Sequence, residues 1–596
     1  MHKWICLFLG IIILIFAVTG SAEITIEPVQ MPTEASSNTA YVPENDMTMV
    51  MLSDAQPNVL GDGAYFENNT LIINQSGRYY LSGTMQGSIE INSQDTDKIT
   101  LILNGISLSA LNQSCLNIIS SGKNTTIQVV DGSANIIQCA FTTDVLSQDG
   151  IPDAAIYSKA DLKLKGNGAL YISCDGGKGV NCRDDVSIQN LNLTISATDD
   201  GLRGKDSVNI SSGLIHISAG ADGIRSTNEE KEDKGTITIS GGEVLVDAVL
   251  DAVQAYNTIS VSGGHVVCIS GGGAKESAEV RQDDFQRGFP GGRGGAPGWD
   301  MNRSNNELDE SADSTKGLKS DLGISISGGR IEANSLDDAL HSNQNITISG
   351  GELLLYSGDD GIHADNALFI QGGTISVMQS YEGIEAADLQ ISGGETRIIA
   401  SDDGVNAAGA EKENTFNGGS FGGHRGGFGG GMLSETSGQM TISGGYLLVN
   451  SSGDGVDVNG ATQMSGGTLI IYGPSNHGNA ALDYDETFLV TGGTLLATGS
   501  YGMAQTVTTA ENVDLLAFTC NIPPDTLLHI ADEDDTQILT FVSEKEYSCV
   551  VFASDMIHTG NTYKIYAQGE YSLPAIDGLF SDGEYTPGTL LGTIDL

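Results

Sequence analysis

The chain has 596 residues, 79 of them glycine, and 27 Lys and Arg stand against 76 Asp and Glu, a formal net charge of −49. This charge would be repelled by nucleic-acid phosphates, and a hydrophobic fraction of 39% argues against wholesale disorder. Only 12 prolines and no three-residue glycine repeat exclude collagen, while a single long apolar run excludes a polytopic membrane protein.

The start of the chain has the pattern of a secretory signal peptide. Lys3 precedes an uninterrupted apolar run over 4–18, and small residues follow up to Ala22. We expect cleavage after Ala22, which removes residues 1–22 and leaves a secreted protein without a transmembrane span, either free or associated with the cell surface. An uncleaved membrane anchor is the alternative interpretation. Residues 23–60 are aperiodic and predict a linker.

A repeated phrase is the strongest signal in the rest of the chain. Asp-Asp-Gly followed by an aliphatic residue returns about every 22 residues, and Ser-Gly-Gly keeps the same period. Between them, short runs alternate apolar and polar residues, as strands with one buried face do. The period predicts an all-β fold, a parallel β-helix over 61–506 whose coils stack about 4.8 Å apart. We expect a right-handed winding, on which the period is silent; a leucine-rich repeat lacks its Leu/Asn consensus here.

Two Gly-rich segments and a final module depart from this period. Residues 271–320 and 409–439 interleave Gly with Arg and aromatic residues, which predicts two disordered insertions in the helix. From Val507 the alternating runs become longer and are separated by hairpin-like turns. Residues 507–596 therefore predict a small antiparallel β cap, which would cover the open end of the last coil.

The cysteine spacings indicate neither a disulfide framework nor a zinc site. Seven remain after signal cleavage, an odd number whose spacings match no zinc pattern. We expect most of them to be small buried side chains, and a Cys174–Cys182 pair is a hypothesis that nothing else in the sequence supports.

The acidic residues of the repeat should stack into a ladder along one corner of the coils. Two carboxylates about 5 Å apart repel by roughly 1 kcal/mol in water and more near a protein surface, so a rigid ladder either raises its pKa values or recruits cations. Hard oxygen ligands select Ca²⁺, although Asp-Asp-Gly is also a favoured corner sequence without any metal. The predicted calcium ligands are Asp199, Asp200, Asp222, Asp337, Asp338, Asp359, Asp360, Asp402, Asp403 and Asp454.

The residue that follows the aliphatic position should face solvent and offers candidate contacts to a sugar. These candidates are Arg203, Arg225, His341 and His363. The same residues allow an enzyme: an Arg beside carboxylate-held calcium suits a polysaccharide lyase, and paired Asp with His suit a pectin hydrolase. Because active sites break repeats whereas this phrase recurs in many coils, we favour a non-catalytic, multivalent binder.

Three landmarks in order also resemble a known family. The opening GRYYLSG and following strands (77–110), the repeated DDGI and SGG coils, and the closing YSCVVFASDMIHTGNTYKIYAQGEYS (547–572) resemble the clostridial β-helix carbohydrate-binding proteins, related in fold to pectate lyases. The resemblance implies a right-handed, calcium-binding β-helix that attaches to acidic pectic chains and cellulose without cleaving them. We therefore expect calcium as cofactor, a polysaccharide as partner and a monomer; an adhesin that binds a protein is a third interpretation.

Overall fold

A computed structural model describes residues 24–146, 152–275, 314–408, 438–510, 512–581 and 583–596. The predicted signal peptide lies outside the described residues, as do the central parts of both Gly-rich segments, so these predictions stay predictions. Within the described ranges no helix is long and apolar enough to cross a membrane.

The described part of the chain is all-β, with one four-residue helix, α1 (Thr143–Leu146), among its strands. The first strands are β1 Thr48–Ser53, β2 Asn58–Leu60, β3 Ala64–Glu67, β4 Thr70–Ile73, β5 Gly77–Gln86, β6 Ser88–Asn92, β7 Ile99–Leu111, β8 Leu116–Ser120, β9 Thr125–Val129 and β10 Ala134–Ala140. The next are β11 Ala154–Ser158, β12 Leu162–Lys165, β13 Ala169–Asp175, β14 Lys178–Cys182, β15 Asp185–Gln189, β16 Leu191–Ala197, β17 Leu202–Gly204, β18 Ser207–Ile210, β19 Gly213–Ala219, β20 Ile224–Ser226, β21 Thr236–Ile239, β22 Glu243–Ala248, β23 Val253–Ala255, β24 Thr258–Val261 and β25 His265–Ser270.

The later strands continue the same order along the chain. They are β26 Leu318–Ser320, β27 Gly323–Ser335, β28 Leu340–Ser342, β29 Asn345–Ser357, β30 Ile362–Gln379, β31 Ile384–Ile391, β32 Glu395–Ala400, β33 Val405–Ala407, β34 Gln439–Ile442, β35 Tyr446–Ser451, β36 Val456–Val458, β37 Ala461–Tyr472, β38 Leu482–Tyr484, β39 Thr487–Gly499 and β40 Thr508–Thr509. The last six are β41 Asp514–Ile522, β42 Leu528–Ala531, β43 Gln537–Phe541, β44 Tyr547–Ser554, β45 Thr562–Tyr571 and β46 Tyr585–Asp595.

The strands join in a large, mainly parallel sheet of 42 strands that has the connectivity of a β-helix. From β11 to β24 each strand pairs in parallel with the strand three places later, so three strands make one coil. Val180 pairs with Leu202 and Leu202 with Ile224, so equivalent residues of these neighbouring coils are paired along the stack. Each coil thus places one strand on each of three faces, and equivalent residues of successive coils become neighbours.

The core runs through the stack as one aliphatic cluster. The residue after the glycine or alanine of each corner points inward, as the sequence predicts: Leu202, Ile224 and Leu340 have no exposed surface. Burial of such a side chain is worth about 1.5–3 kcal/mol, so the repeat itself supplies the hydrophobic stabilisation of every coil. The second glycine of Ser-Gly-Gly also behaves as predicted, with a positive φ of 87° at Gly329 and 99° at Gly351.

Two predicted boundaries are wrong. Residues 48–60 were assigned to the linker, but Thr48–Ser53 form β1, which pairs in parallel with β5, and Asn58–Leu60 form β2. Leu318–Ser320 were assigned to the first Gly-rich insertion, but they form β26 and continue the parallel ladder between β23 and β28. Both segments are short alternating runs without the Asp-Asp-Gly signature, so their strand character was hidden by the sequence around them.

The C-terminal strands pack on the last coils, as we expected for a cap. β44 lies antiparallel between β39 and β41, while β43, β42, β45 and β46 form a separate antiparallel sheet. A second hydrophobic cluster joins Tyr472 and Leu496 of the coils to Phe541 and Phe552 of the cap. The buried ammonium group of Lys545 donates to the carbonyl oxygens of Tyr472 and Gly473 at 2.9 and 3.3 Å. It thereby supplies hydrogen-bond donors to backbone carbonyl groups at the end of the stack.

Candidate functional site

The residue immediately before the glycine or alanine of each corner forms a continuous row, which we call the acid row. Backbone hydrogen bonds define its register: the Gly201 N–H donates to the Asp222 carbonyl at 2.9 Å, and the Gly383 N–H donates to the Asp403 carbonyl at 2.9 Å. In chain order the acid row comprises Lys178, Asp200, Asp222, Asp251, Lys316, Asp338, Asp360, Glu382, Asp403 and Asp454.

One oxygen of several acid-row carboxylates accepts a backbone hydrogen bond from the next coil. Asp222 Oδ1 accepts the Asp251 N–H at 3.2 Å, and Asp403 Oδ1 accepts the Asp454 N–H at 2.6 Å. The Asp360 N–H likewise donates to the Asp338 carboxylate, at 3.1 Å. Each carboxylate therefore pairs an amide of the next coil that would otherwise lack a partner in this buried corner. The interpretation of Asp-Asp-Gly as a corner sequence accounts for this oxygen.

A second row, three residues further along the chain, lies beside the acid row. We call it the outer row, and strand pairing fixes its order as Asn181, Arg203, Arg225, Gln254, Lys319, His341, His363, Glu385, Asn406, Asp457 and Asp483. Its first members are mainly cationic and its last members are acidic or neutral. The row therefore changes sign along the stack.

Where the outer row is cationic, it neutralises the second oxygen of the acid row. Arg225 lies 2.9 Å from Asp222 Oδ2. His341 Nδ1 is 2.8 Å from Asp338 Oδ2, and His363 Nδ1 is 2.8 Å from Asp360. This repeated pairing across three residues gives each buried carboxylate a partner within its own coil.

Two lysines extend this neutralisation from within the acid row. The Lys178 ammonium group lies 3.0 Å from Asp153 and 2.5 Å from Asp199. Lys316 lies 2.7 Å from both Asp337 and Asp338. They take the place of an Asp in their coils, so each supplies a cation to acids of the adjoining corners.

The pKa values follow these contacts. Burial would raise the pKa of Asp338, but its hydrogen bond with His341 and the charge of Lys316 hold it below the ordinary value. Burial would lower the pKa of His363, but hydrogen bonds to the Asp360 and Asp365 carboxylates raise it to about 11. Burial also raises the pKa of Asp360 itself, so of these two carboxylates it is Asp338 that is held in charged form.

Toward the C-terminal end the cationic partner is missing. The residues three positions beyond Asp403 and Asp454 are Asn406 and Asp457, and no Lys, Arg or His of the described chain forms a salt bridge with these acids. One oxygen each of Asp403, Asp454 and Asp457 lies within 4.8 Å of the others. Burial, together with the neighbouring carboxylates, raises the pKa of Asp403 to about 7 and that of Asp457 to about 6.

The structure brings most predicted ligands together. Of the ten, six lie in the acid row, and Asp199, Asp337, Asp359 and Asp402 occupy the position just before it. Further His and carboxylate groups close enough to share a metal ion are Asp337–Asp338–Asp359, Asp338–His341–His363, Asp360–His363–Glu385 and Asp161–Asp184–Asp185. Several groups of acidic and His side chains along this corner are therefore close enough together to share a metal ion.

The outer-row candidates differ from the expectation that they face solvent. Arg225 keeps 36% of its side-chain surface exposed, but His341 keeps only 13%, because both turn toward acid-row carboxylates. The two histidine rings lie against each other, with centroids 4.9 Å apart. Arg203 is 3.9 Å from Asp200 and donates to Thr227 at 3.2 Å. Their predicted contacts with a sugar stay a prediction.

Sequence reasoning missed several members of both rows. Asp251 is almost fully buried in the acid row, and Lys316 and Lys319 belong to a coil that was not recognised. A signal was available: Gly317 lies about 22 residues before Ala339, so the period itself places a corner there. The substitution of Lys for Asp at the corner concealed it.

Comparison with known proteins gives the family. A family model described as carbohydrate-binding domain-containing protein matches residues 67–361 and 360–512. A protein of the same description from Acetivibrio thermocellus is 33% identical over 138 residues, which are 23% of this chain and 48% of the relative. The matched region thus spans about half of that relative's length.

A solved structure adds a partial likeness. It is a polysaccharide lyase-like protein from C. thermocellum, studied as a gadolinium derivative, with 30% sequence identity and a TM-score of 0.35. The alignment covers 37% of this chain and 89% of that structure. Since the family model matches well over half of the residues, the chain belongs to the family of carbohydrate-binding domain-containing proteins.

Proposed function

We propose that the chain is an exported, non-catalytic carbohydrate-binding protein that attaches to an acidic plant cell-wall polysaccharide, such as a pectic chain, through calcium at its acid row. Family membership supports the carbohydrate as ligand class. The fold in this proposal is a right-handed β-helix, since parallel crossover connections are right-handed in almost all known cases. The observation that carries the proposal is the loss of the outer-row cation beside Asp403 and Asp454.

The residues at this position fit a calcium ion. Asp403, Asp454 and Asp457 offer three hard oxygen donors within 4.8 Å of one another. Asp403 and Asp454 lie in the corners before β33 and β36 and Asp457 lies in β36, and the hydrogen bonds between these coils fix their separation. Asp222, Asp338 and Asp360 in earlier coils each have an Arg or His partner, whereas the described chain supplies no positive charge beside Asp403, Asp454 and Asp457. Calcium accepts 6–8 oxygen ligands in loose geometry, and when bound it supplies that charge and a coordination position for a uronate carboxylate.

The cationic half of the outer row contributes in a different way. Arg203 and Arg225 lie on neighbouring strands and each keeps about a third of its side chain exposed. Strands of a sheet are about 4.8 Å apart, so equivalent groups recur at that spacing along the stack. A linear polymer lying along the coils would therefore meet several weak contacts at once, and its overall affinity would exceed that of any one contact.

Co-sedimentation separates this function from its alternatives. The mature chain, residues 23–596, is incubated with polygalacturonate or cellulose, in calcium or in EDTA, and absorbance of unsaturated product is recorded in parallel. We expect polygalacturonate to be bound in calcium, to be released by EDTA and to yield no product. Calcium-dependent product would instead identify a lyase, and an absence of sugar binding would favour a protein-binding adhesin.

Two variants locate the contact. Asp457→Asn removes one charge from the proposed ion site, and we expect a loss of calcium-dependent binding of about 10-fold or more, equivalent to about 1.4 kcal/mol. The matched control is Asp97→Asn, an exposed carboxylate in an N-terminal loop, which should bind like the wild type. Equal binding by both variants would place the calcium, or the sugar, elsewhere on the chain.

A further inference from the structure

Two buried cysteines face each other across neighbouring coils. Cys139 in β10 pairs in parallel register with Cys174 in β13. Both side chains point into the core, with 2% and 1% of their surface exposed. Their sulfur atoms lie 2.9 Å apart. Non-bonded heavy atoms normally stay about 3.5–4.0 Å apart, so the two thiols are closer than simple packing allows.

The row to which they belong shows that this closeness is specific to the pair. The neighbour of Cys139 on the preceding coil is Ala110, and the neighbour of Cys174 on the following coil is Ala197. Ala197 is followed in turn by Ala219. The other members of this part of the row are therefore alanines, and sulfur occurs in two consecutive coils only.

We propose that Cys139 and Cys174 form a disulfide bond that joins two successive coils of the protein. Neighbouring strands are about 4.8 Å apart, within the Cα separation of about 4.4–6.8 Å that disulfides span. Each thiol gives up its proton, a sulfur–sulfur bond forms, and the two electrons reduce a small-molecule disulfide, such as oxidised glutathione, to two thiols. No movement of the backbone register is needed.

The surroundings of the pair determine when the bond forms. The hydrogen bond between the two sulfurs, with burial, raises the pKa of Cys139 far above that of a free thiol. Because the thiolate is the reactive form, the folded, reduced core would exchange slowly. The bond therefore forms while this part of the chain is still open to solvent, and it is then protected from reductants.

The other cysteines near this position have different contacts. Cys182, which the sequence offered as a partner for Cys174, directs its sulfur to the Ala160 carbonyl at 3.3 Å. The Cys115 thiol donates to the Gln138 carbonyl at 3.0 Å. The structure therefore replaces the Cys174–Cys182 hypothesis with a pair whose members are 35 residues apart in sequence.

Thiol mapping tests the pairing. The mature chain is reduced, denatured, refolded with reduced and oxidised glutathione, and then alkylated in denaturant with or without prior reduction. We expect two more reactive thiols after reduction, and one cross-linked peptide that contains Cys139 and Cys174. Equal thiol counts in refolded protein, or a cross-link through Cys115 or Cys182, would overturn the proposal.

Variants separate the bond from general effects on the core. Cys139→Ala and Cys174→Ala should each fold, since alanine occupies the adjoining coils, and each should lose the cross-link. Cys268→Ala is the matched control, because Cys268 is equally buried in a later coil, and it should retain the cross-link. Closing a loop of this size predicts that reduction raises the unfolding equilibrium constant of the wild type by roughly 100- to 1,000-fold, and that of Cys139→Ala hardly at all. Should either alanine variant fail to fold, the wild-type peptide map decides alone.

Discussion

Replacing Asn406 by Arg should remove the need for calcium at the C-terminal end of the acid row. Arg225 occupies the equivalent position six coils earlier in the outer row and lies 2.9 Å from its carboxylate, Asp222. An arginine at 406 would stand in the same relation to Asp403, so it would supply internally the charge that we assign to the ion. Asn406 now donates only to Glu382, at 2.9 Å, a bond that arginine can also make.

The size of the effect follows from the pKa of Asp403. Burial and like charges raise this pKa from 3.8 to about 7, a shift of about 3 pH units at roughly 1.4 kcal/mol each. Arginine would not reverse the effect of burial, because Asp222 keeps a raised pKa of about 7 beside Arg225. It would relieve only the repulsion from neighbouring carboxylates, which solvent screening limits to about 1 kcal/mol of this ceiling of about 4 kcal/mol. Asn406→Arg should therefore be about 1 kcal/mol more stable than the wild type in EDTA at pH 8.

Urea unfolding in EDTA and in calcium measures the stability of each protein without calcium and the stabilisation that calcium adds. Free calcium at 100 times its dissociation constant should stabilise the wild type by about 2.7 kcal/mol and should stabilise Asn406→Arg far less. Gln390→Arg is the control, because it adds the same charge to an exposed position on another face of the stack. The reasoning is refuted if Asn406→Arg is less stable than the wild type in EDTA, or if it keeps the full calcium increment in calorimetry.

Two further predictions concern pH and ligand contact. Since the pKa of Asp403 is raised in the folded state, its carboxylate lowers stability progressively as pH rises from about 4 to 7. In EDTA, Asp403→Asn should therefore be about 1–2 kcal/mol more stable than the wild type at pH 8 and equally stable near pH 4. An equal difference at both pH values in urea unfolding would contradict this. Arg225→Gln removes a cation from the outer row, so polygalacturonate affinity in calcium should fall about 5- to 10-fold. The control Lys163→Gln, on another face of the stack, should leave this affinity unchanged. Equal losses of affinity for both variants in a binding titration would show that only net charge matters.

The fold was predictable from the sequence because the period fixes which residues point inward. Leu202 and Ile224 follow a corner glycine and Leu340 follows the equivalent Ala339, and all three are fully buried. The strand at Leu318–Ser320 was not predicted, since a Gly-rich segment precedes it and Lys replaces Asp at its corner. Local composition therefore misled the boundary, whereas the distance to the next corner would have corrected it.

The site was only half predictable for a related reason. A repeat shows that Asp222 and Asp251 occupy equivalent positions only if the length of each coil is known, and 29 residues separate this pair. The partner of each carboxylate depends on that register. The sequence therefore indicated an acidic ladder but gave neither its internal cations nor the place where they end. The pair Cys139–Cys174 was unpredictable in the same way, because its spacing of 35 residues differs from the period.

The structural and the functional interpretations of the corner aspartate are compatible, because they use different oxygens. At Asp222 one oxygen accepts an amide of the next coil and the other faces Arg225, so the same side chain completes the corner and carries the charge. Asp403 keeps the first contact and lacks the second. An amide at 403 would retain the acceptor and remove only the charge, whereas alanine would remove both. The stability change shared by Asp403→Asn and Asp403→Ala therefore measures the unneutralised charge, for which we propose a bound cation. The further change seen only in Asp403→Ala measures the hydrogen bond that completes the corner.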